Sequence, residues 1–430
     1  MLLIGVTYMI TSNLFLYIDP GTGSMLFSIL LGLFTTLFFV MRSVVIKFKF
    51  MLTGKKIATD SKKYDFVIFC EGPQYINVFL PVLQAFEKKQ ITIHYLTSVK
   101  DDPAFAKNYT YVLPEYIGEG NTAITKLNML IADVCLMTTP GLNVYQLKRS
   151  KGVKHYAHVL HAASDATMYR MFGIDYFDSI LLSGDYQKKD LLKLEQIRGT
   201  QKKELVTVGC PYLDSLHQKF ESAKQTNSTT KSNNFTVLVS PSWGENALLA
   251  KYGTKLLDPL VQAGFTVIIR PHPQSKKSEA SMLEKLQKYY KNTENLEWDF
   301  ERDNTISMAK SDTMISDFSG IIFDYIFLRD RPFLYVNSDI NLDCYDAGDL
   351  LELEPPIQAW QFAVLPKIGK ELQEKDFSKI GGIIKEMSDS SAFANARKEA
   401  KNTAWMHQGQ SGQNIANYMI QKQKEFSKGE

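Results

Sequence analysis

The sequence predicts an α/β protein of two units, each a mostly parallel sheet covered by helices. Three observations carry this expectation. From Tyr64 onward, short β-branched and aromatic runs alternate with helical stretches, the pattern of parallel strands joined by crossover helices. The polar segment 221–234 (ESAKQTNSTTKSNN) interrupts that series as a linker would. A second strand–helix series follows it. Two such units on one linker imply a cleft between them, where α/β proteins bind ligands.

Composition agrees and removes other classes. At about 100–200 residues per domain, a chain of 430 residues has room for two large domains. Its 45% hydrophobic and 22% charged residues are those of a globular protein, not of a disordered, collagen-like or coiled-coil one. Basic residues (49) barely outnumber acidic ones (46), so no nucleic-acid partner is expected. Cys70, Cys135, Cys210 and Cys344 lie far apart without a CxxC pair. That argues against a zinc site or disulfide framework and suits a reducing compartment.

Residues 1–50 read as a membrane anchor. Residues 25–41 are uncharged and mainly Leu, Phe, Ile and Val, and extended to about Ile46 the run reaches bilayer length, about 20 residues. Residues 1–18 are marginal for a second span, so the anchor is one span or a hairpin of two. No Lys or Arg opens the chain and no cleavage site follows, so an uncleaved anchor is expected rather than a signal peptide. Arg42, Lys47, Lys49, Lys55, Lys56, Lys62 and Lys63, opposed only by Asp60, place the rest of the chain on the cytoplasmic face of the cell membrane. The same cluster suits anionic headgroups.

The first unit, residues 64–220, is expected to hold strands over 64–70, 91–97, 133–137, 154–160, 179–183 and 204–208, with helices over 76–88 and 186–197. The second, residues 235–430, is expected to hold strands over 235–239, 265–270, 313–315 and 332–336. Its expected helices run over 245–263, 278–290 and 319–329, with a helical tail from about Lys370.

Several strand ends carry chemistry. Ser316-Asp317-Phe318-Ser319-Gly320 follows a short strand and opens a helix, which makes either a phosphate site or an ordinary N-cap. Arg270-Pro271-His272-Pro273 ends an apolar strand. The prolines stop the ladder and hold a cation and an imidazole at the carboxyl edge, as a diphosphate site or a rigid turn. His161 ends the strand containing His155 and His158. Strand alternation sends His155 and His158 to opposite faces, against a metal site. His161 stands at the start of a loop, where it is either structural or a neutral base for an attacking hydroxyl; a histidine base would lose activity as pH falls through roughly 6–7. Glu71-Gly72-Pro73 is a tight turn that lets a ligand approach the backbone. No GxGxxG, Walker A or GxSxG pattern occurs.

Taken together and in this order, these segments resemble the CDP-glycerol glycerophosphotransferase family of teichoic-acid synthesis. The resemblance runs from about Asp65 to Val336. It rests on SDFSGIIFDYIFLRDRPFLYV (316–336), RPHP (270–273), LVSPSWGEN (238–246), VGCPYLDSL (208–216) and LHAASDATMYRMFGID (160–175). It implies a GT-B-type fold of two Rossmann-like domains, the first on the acceptor side and the second binding the nucleotide donor. It also implies transfer of glycerol phosphate from CDP-glycerol to a membrane-linked acceptor, with release of CMP. His161 then takes the base position. His272, Ser316, Asp317 and Ser319 take donor-binding positions, to which the strand-end reading adds Arg270 and Gly320. Glu71, Gly72 and Arg170 are candidate acceptor or phosphate contacts, Arg170 standing for a family lysine. Two departures concern donor and acceptor identity: Ala162 follows the base histidine where the family has Gly, and Gly244 stands where a basic residue is common. No cofactor is required, and a loosely held divalent cation is compatible with the phosphate chemistry. A GT-B glycosyltransferase using a CMP- or UDP-sugar, and a non-catalytic scaffold for envelope lipids, are the alternative readings.

Overall fold

The computed structural model describes residues 29–38, 40–41, 63–227, 234–337 and 340–428. The chain divides into two units, Met1–Ser61 and Lys62–Glu430. Most of the expected anchor and of its basic flank lies outside the described residues. Those that are described, 29–38 and 40–41, are helical and expose Leu31, Phe34, Leu37 and Phe38. Among the described residues no helix is long and apolar enough to cross a membrane.

The second unit contains two parallel sheets. In the first, β1 (Tyr64–Cys70), β2 (Ile93–Thr97), β3 (Val112–Tyr116), β4 (Ile131–Met137), β5 (Gly152–Val159), β6 (Ser179–Leu182) and β7 (Glu204–Thr207) run in the order β3-β2-β1-β4-β5-β6-β7. All six pairings are parallel. The middle strands are continuous apolar runs because helices cover both faces: the last five residues of β1 are all buried. The second sheet runs β10-β9-β8-β11-β12-β13, from β8 (Thr236–Val239), β9 (Thr266–Ile269), β10 (Leu296–Trp298), β11 (Thr313–Ser316), β12 (Phe333–Val336) and β13 (Lys370–Leu372). Strand order reverses between β1 and β4 in one sheet and between β8 and β11 in the other. Such reversals open a crevice at the carboxyl ends of the strands.

The structure differs from the sequence expectation at particular places. β3, β10 and β13 were not expected, and all three are edge strands. Each lacks a buried apolar run, and β3 (VLPEY) even holds a proline that an edge tolerates. Helix 245–263 is broken into Leu248–Tyr252 and Thr254–Gln262 at Gly253, whose φ is 43°. Residues 221–227 do not start a linker but finish the helix Pro211–Asn227, since Glu, Ala, Lys and Gln are good helix formers. The tail starts with a strand, and its last helix, Ser411–Ser427, does not stay with the second sheet. Ile415, Ala416 and Met419 join Phe66, Val82 and Phe86 in the core of the first. Gly412 permits the crossing, because a Cβ there would lie 2.3 Å from the carbonyl oxygen of Pro81. Asp214 latches this return. It accepts from Trp405 Nε1 (2.8 Å), Gly409 N (2.8 Å) and Ser411 N (3.1 Å), which gives the Asp of the segment VGCPYLDSL a structural role.

Candidate active site

On β5 the alternation holds. His155 Nε2 meets Ser179 Oγ (3.0 Å) and Tyr418 OH (3.1 Å), while His158 faces the other way, against Phe177 and Tyr169. Among the described residues no group of His, Cys, Asp or Glu is placed to hold a metal ion.

His161 follows β5 in the loop at its carboxyl end and is partly exposed. Its Nδ1 lies 2.9 Å from Tyr169 OH. Its ring stands edge-on to Tyr75, 5.3 Å away, and to Tyr169, 5.5 Å away. The other side of the loop bounds a cavity of about 70 Å³ lined by His161, Ser164, Asp165 and Tyr169. The surrounding protein desolvates the ring and pushes its pKa down to about 4. His161 is thus a neutral imidazole, and the acid limb expected at pH 6–7 moves down by burial.

The loop after His161 is braced from several sides. Asp165 caps Ala166–Met168 through Thr167 N (2.9 Å) and also accepts from Trp360 N, in a helix that follows the second sheet's core strands. The Tyr186 hydroxyl lies within hydrogen-bond distance of the carbonyls of Ala163 (3.0 Å) and Ser164 (3.1 Å) and donates its proton to this pair. Arg170 stands at the far end of this loop with an exposed side chain, its backbone bridged to Tyr345.

Glu71 and Gly72 follow β1, at the reversal point of the first sheet. Glu71 is exposed and lines a cavity of about 1000 Å³ together with Lys100, Glu119, Gly141 and Arg302. Gly72 is buried, with the Gln74 amide where a Cβ would be. Tyr75 ties this loop to His161. Arg302, which follows β10, donates to the Pro73 carbonyl and so brings a cation from the second sheet to the first.

In the second sheet the polar motif is largely consumed by the fold. Ser316 is fully buried and donates to the Ser240 carbonyl (2.6 Å). Asp317, 1% exposed, accepts from Ser242 N (2.9 Å), Leu248 N (2.9 Å) and Ser319 N (3.2 Å). It ties the loop after β8 to the loop after β11. Arg270 pairs with Asp299 at 2.5 Å and donates to the carbonyls of Glu301 and Arg302. Its guanidinium holds the loop after β10 in place instead of standing free. What remains open is Ser319 and Gly320, at the start of helix Ile321–Leu328, and His272. His272 Nδ1 accepts from Gln274 N (3.1 Å), which leaves the proton on Nε2, and burial lowers its pKa. Trp243, 47% exposed, lies 6.3 Å from the His272 ring. Gly244 has φ of 103°, a left-handed backbone conformation that favours glycine. Asp324 is buried under Tyr212 OH (2.9 Å), and burial pushes its carboxyl up to about 7.

Residues 145–358 match the model of the CDP-Glycerol:Poly(glycerophosphate) glycerophosphotransferase family. The chain belongs to this family. The matched residues contain His161, Arg170, Arg270, His272 and Ser316–Gly320, and the chain is an enzyme of the glycerophosphotransferase class. Among solved structures it is similar to the wall teichoic acid polymerase TagF, at 16% identity and a TM-score of 0.56 over 92% of this chain and 98% of that one. A variant of that polymerase soaked with CDPG matches at 14% and 0.55, over the same shares. The UDP-GlcNAc 2-epimerase of Methanocaldococcus jannaschii matches at 15% and 0.51 over 84% of this chain and 99% of its own. At such identities these likenesses establish the fold, two Rossmann-like sheets of GT-B type. Among curated proteins none matches.

Trp243 lies in the segment LVSPSWGEN that the sequence reading used, whereas Tyr169, Tyr75 and Arg302 are not singled out by the sequence. Tyr169 lies inside the family segment that holds His161, which was a usable signal. Nothing in the local sequence distinguishes Arg302.

Proposed function

We propose that the enzyme transfers glycerol phosphate, or a similar polyol phosphate, from a CDP-linked donor to a lipid-linked acceptor and releases CMP. The observation that carries this reading is the neutral, oriented imidazole of His161 at a strand end of the first sheet, within the family segment. The acceptor oxygen attacks the phosphorus that bears the polyol, and its proton passes to His161 Nε2. The bond from that phosphorus to the CMP oxygen breaks, and CMP leaves. Such chemistry needs positioning and charge neutralisation more than a covalent intermediate. Ser319, Gly320 and the Nε2–H of His272 offer donors to the diphosphate. Asp317 and Arg270 hold the loops that present them. Glu71, Gly72 and Arg170 belong to the acceptor side.

Residues 1–50 anchor this enzyme at the membrane with its catalytic body on the cytoplasmic face, where nucleotide donors are found. The exposed apolar helix at 29–38 and 40–41 and the basic residues after it support that reading. The test is CMP release by the full chain in vesicles, with CDP-glycerol and a lipid-linked glycerol phosphate primer. CMP formation that depends on the primer is expected. Release of nucleotide only from a sugar donor overturns the reading.

A further inference from the structure

Tyr169 OH stands between two imidazoles, 2.9 Å from His161 Nδ1 and 3.1 Å from His158 Nε2. Both rings are edge-on to the tyrosine, at 5.5 and 5.1 Å. A phenol has one proton, so it can donate to at most one of the two nitrogens. Burial keeps both imidazoles neutral, His158 being pushed down to about 3. With that proton directed at one of the histidines, the chain of three groups has one of two polarities.

The base reading selects one of them. For His161 Nε2 to take a proton, Nδ1 must carry one, and it donates that proton to the Tyr169 oxygen. Tyr169 then donates to His158 Nε2, and the proton of His158 sits on Nδ1. That nitrogen is buried without a hydrogen-bond partner among the described residues. The opposite polarity would leave only a lone pair unpaired there, which is the smaller penalty. It would also turn His161 Nε2 into an N–H that cannot accept. The polarity that keeps His161 Nε2 free to accept is thus the locally costlier of the two, and the tautomer of His161 distinguishes them.

We infer that Tyr169 and His158 are positioning residues that set the tautomer of His161, with His161 donating to Tyr169 and Tyr169 donating to His158. The inference rests on the reading of His161 as the base. Tyr169 lies eight residues beyond His161, and the braced loop between them brings its hydroxyl back to the ring.

The test uses the full chain with ¹⁵N-labelled histidine. The two-bond nitrogen–proton spectrum of His161 should show the proton on Nδ1 in the unaltered protein. In His158→Leu the Tyr169 hydroxyl has lost its acceptor and should turn to His161, moving that ring's proton to Nε2. Tyr169→Phe, which keeps the ring, should lower turnover of CDP-glycerol by about 10–100-fold with little change in donor KM, as a misplaced reacting group does. His158→Leu should lower turnover to a similar extent without loss of thermal stability. A wild-type His161 protonated on Nε2 overturns the inference. So do full turnover of Tyr169→Phe and His158→Leu in an enzyme that His161→Ala inactivates. If His161→Ala keeps its turnover, the base reading fails, and the tautomer spectrum alone decides whether Tyr169 and His158 orient the ring.

Discussion

The strand-end loops of the two sheets use polar residues in opposite ways. After β5, His161 makes one hydrogen bond through its ring, to Tyr169, and the ring remains partly exposed. After β11, Ser316 and Asp317 are buried, and both side chains are hydrogen-bonded to the loop that follows β8. After β9, Arg270 is committed to Asp299 and two carbonyls. A polar motif at a carboxyl edge can therefore be a frame, with the ligand left to the backbone and to the few side chains the frame does not use. In the first sheet the proposed base is a side chain that the frame leaves partly exposed. In the second the motif builds the wall against which Ser319, Gly320 and His272 are exposed.

The largest expected effect tests the first of these regions. His161→Ala should lower turnover by about 10²–10⁴-fold, the usual worth of a general base, while calorimetric CDP affinity stays nearly constant. In the unaltered enzyme the acid limb of turnover should fall near pH 4, where the ring protonates, and not at 6–7. The linkage has the matching sign. His158 and His161 titrate near 6.5 when unfolded and at about 3 and 4 when folded. The stability they contribute is present above pH 6.5 and is lost as pH falls towards 4. A limb at 6–7 in the pH–rate profile would mean that His161 is solvated in the working enzyme.

Next comes the frame. Asp317→Ala strands three backbone N–H groups at a buried site and should lower unfolding free energy by about 3 kcal/mol or more, read by urea denaturation. Arg270→Ala should lower it by about 2 kcal/mol, because Asp299 loses its partner in a half-buried setting. Both should weaken CDP binding only through the loosened loops, so that stabilising co-solvent restores part of it. If Arg270→Ala instead abolishes CDP binding in a protein of normal stability, its guanidinium contacts the donor and the contrast between the two sheets breaks.

The smallest effects separate neighbours in one motif. Ser316→Ala removes a buried donor to the Ser240 carbonyl and should cost about 1 kcal/mol of stability, with CDP affinity within about twofold. Ser319→Ala should leave the melting temperature unchanged and weaken CDP affinity by about fivefold, the worth of one hydrogen bond of about 1 kcal/mol. The reverse pattern would exchange the roles of the two serines.

Much of this molecule is legible in its sequence because buried parallel strands are written as continuous apolar runs. YDFVIFC at β1 and the strand before RPHP need no context to be read. The same periodicity separated His155 from His158 and left His161 at a strand end. Edge strands such as β3 and β13 escaped, since a strand covered on one side or fewer carries no such run. The extent of the helix Pro211–Asn227 escaped because a polar helix surface and a polar linker have the same composition.

The sequence alone determined the fold class, the two carboxyl edges and the residue types gathered at them, because strand burial and proline or glycine punctuation are local. Only the tertiary structure decided which polar groups are committed and which are open. Asp317 finds its partners at Ser242 and Leu248, Arg270 at Asp299, Asp214 at Trp405 and Ser411, and His161 at Tyr169. Except for His161 and Tyr169, each of these pairings joins segments far apart in the chain. A hydrogen bond depends on distances of a few tenths of an ångström, which no single stretch of sequence sets.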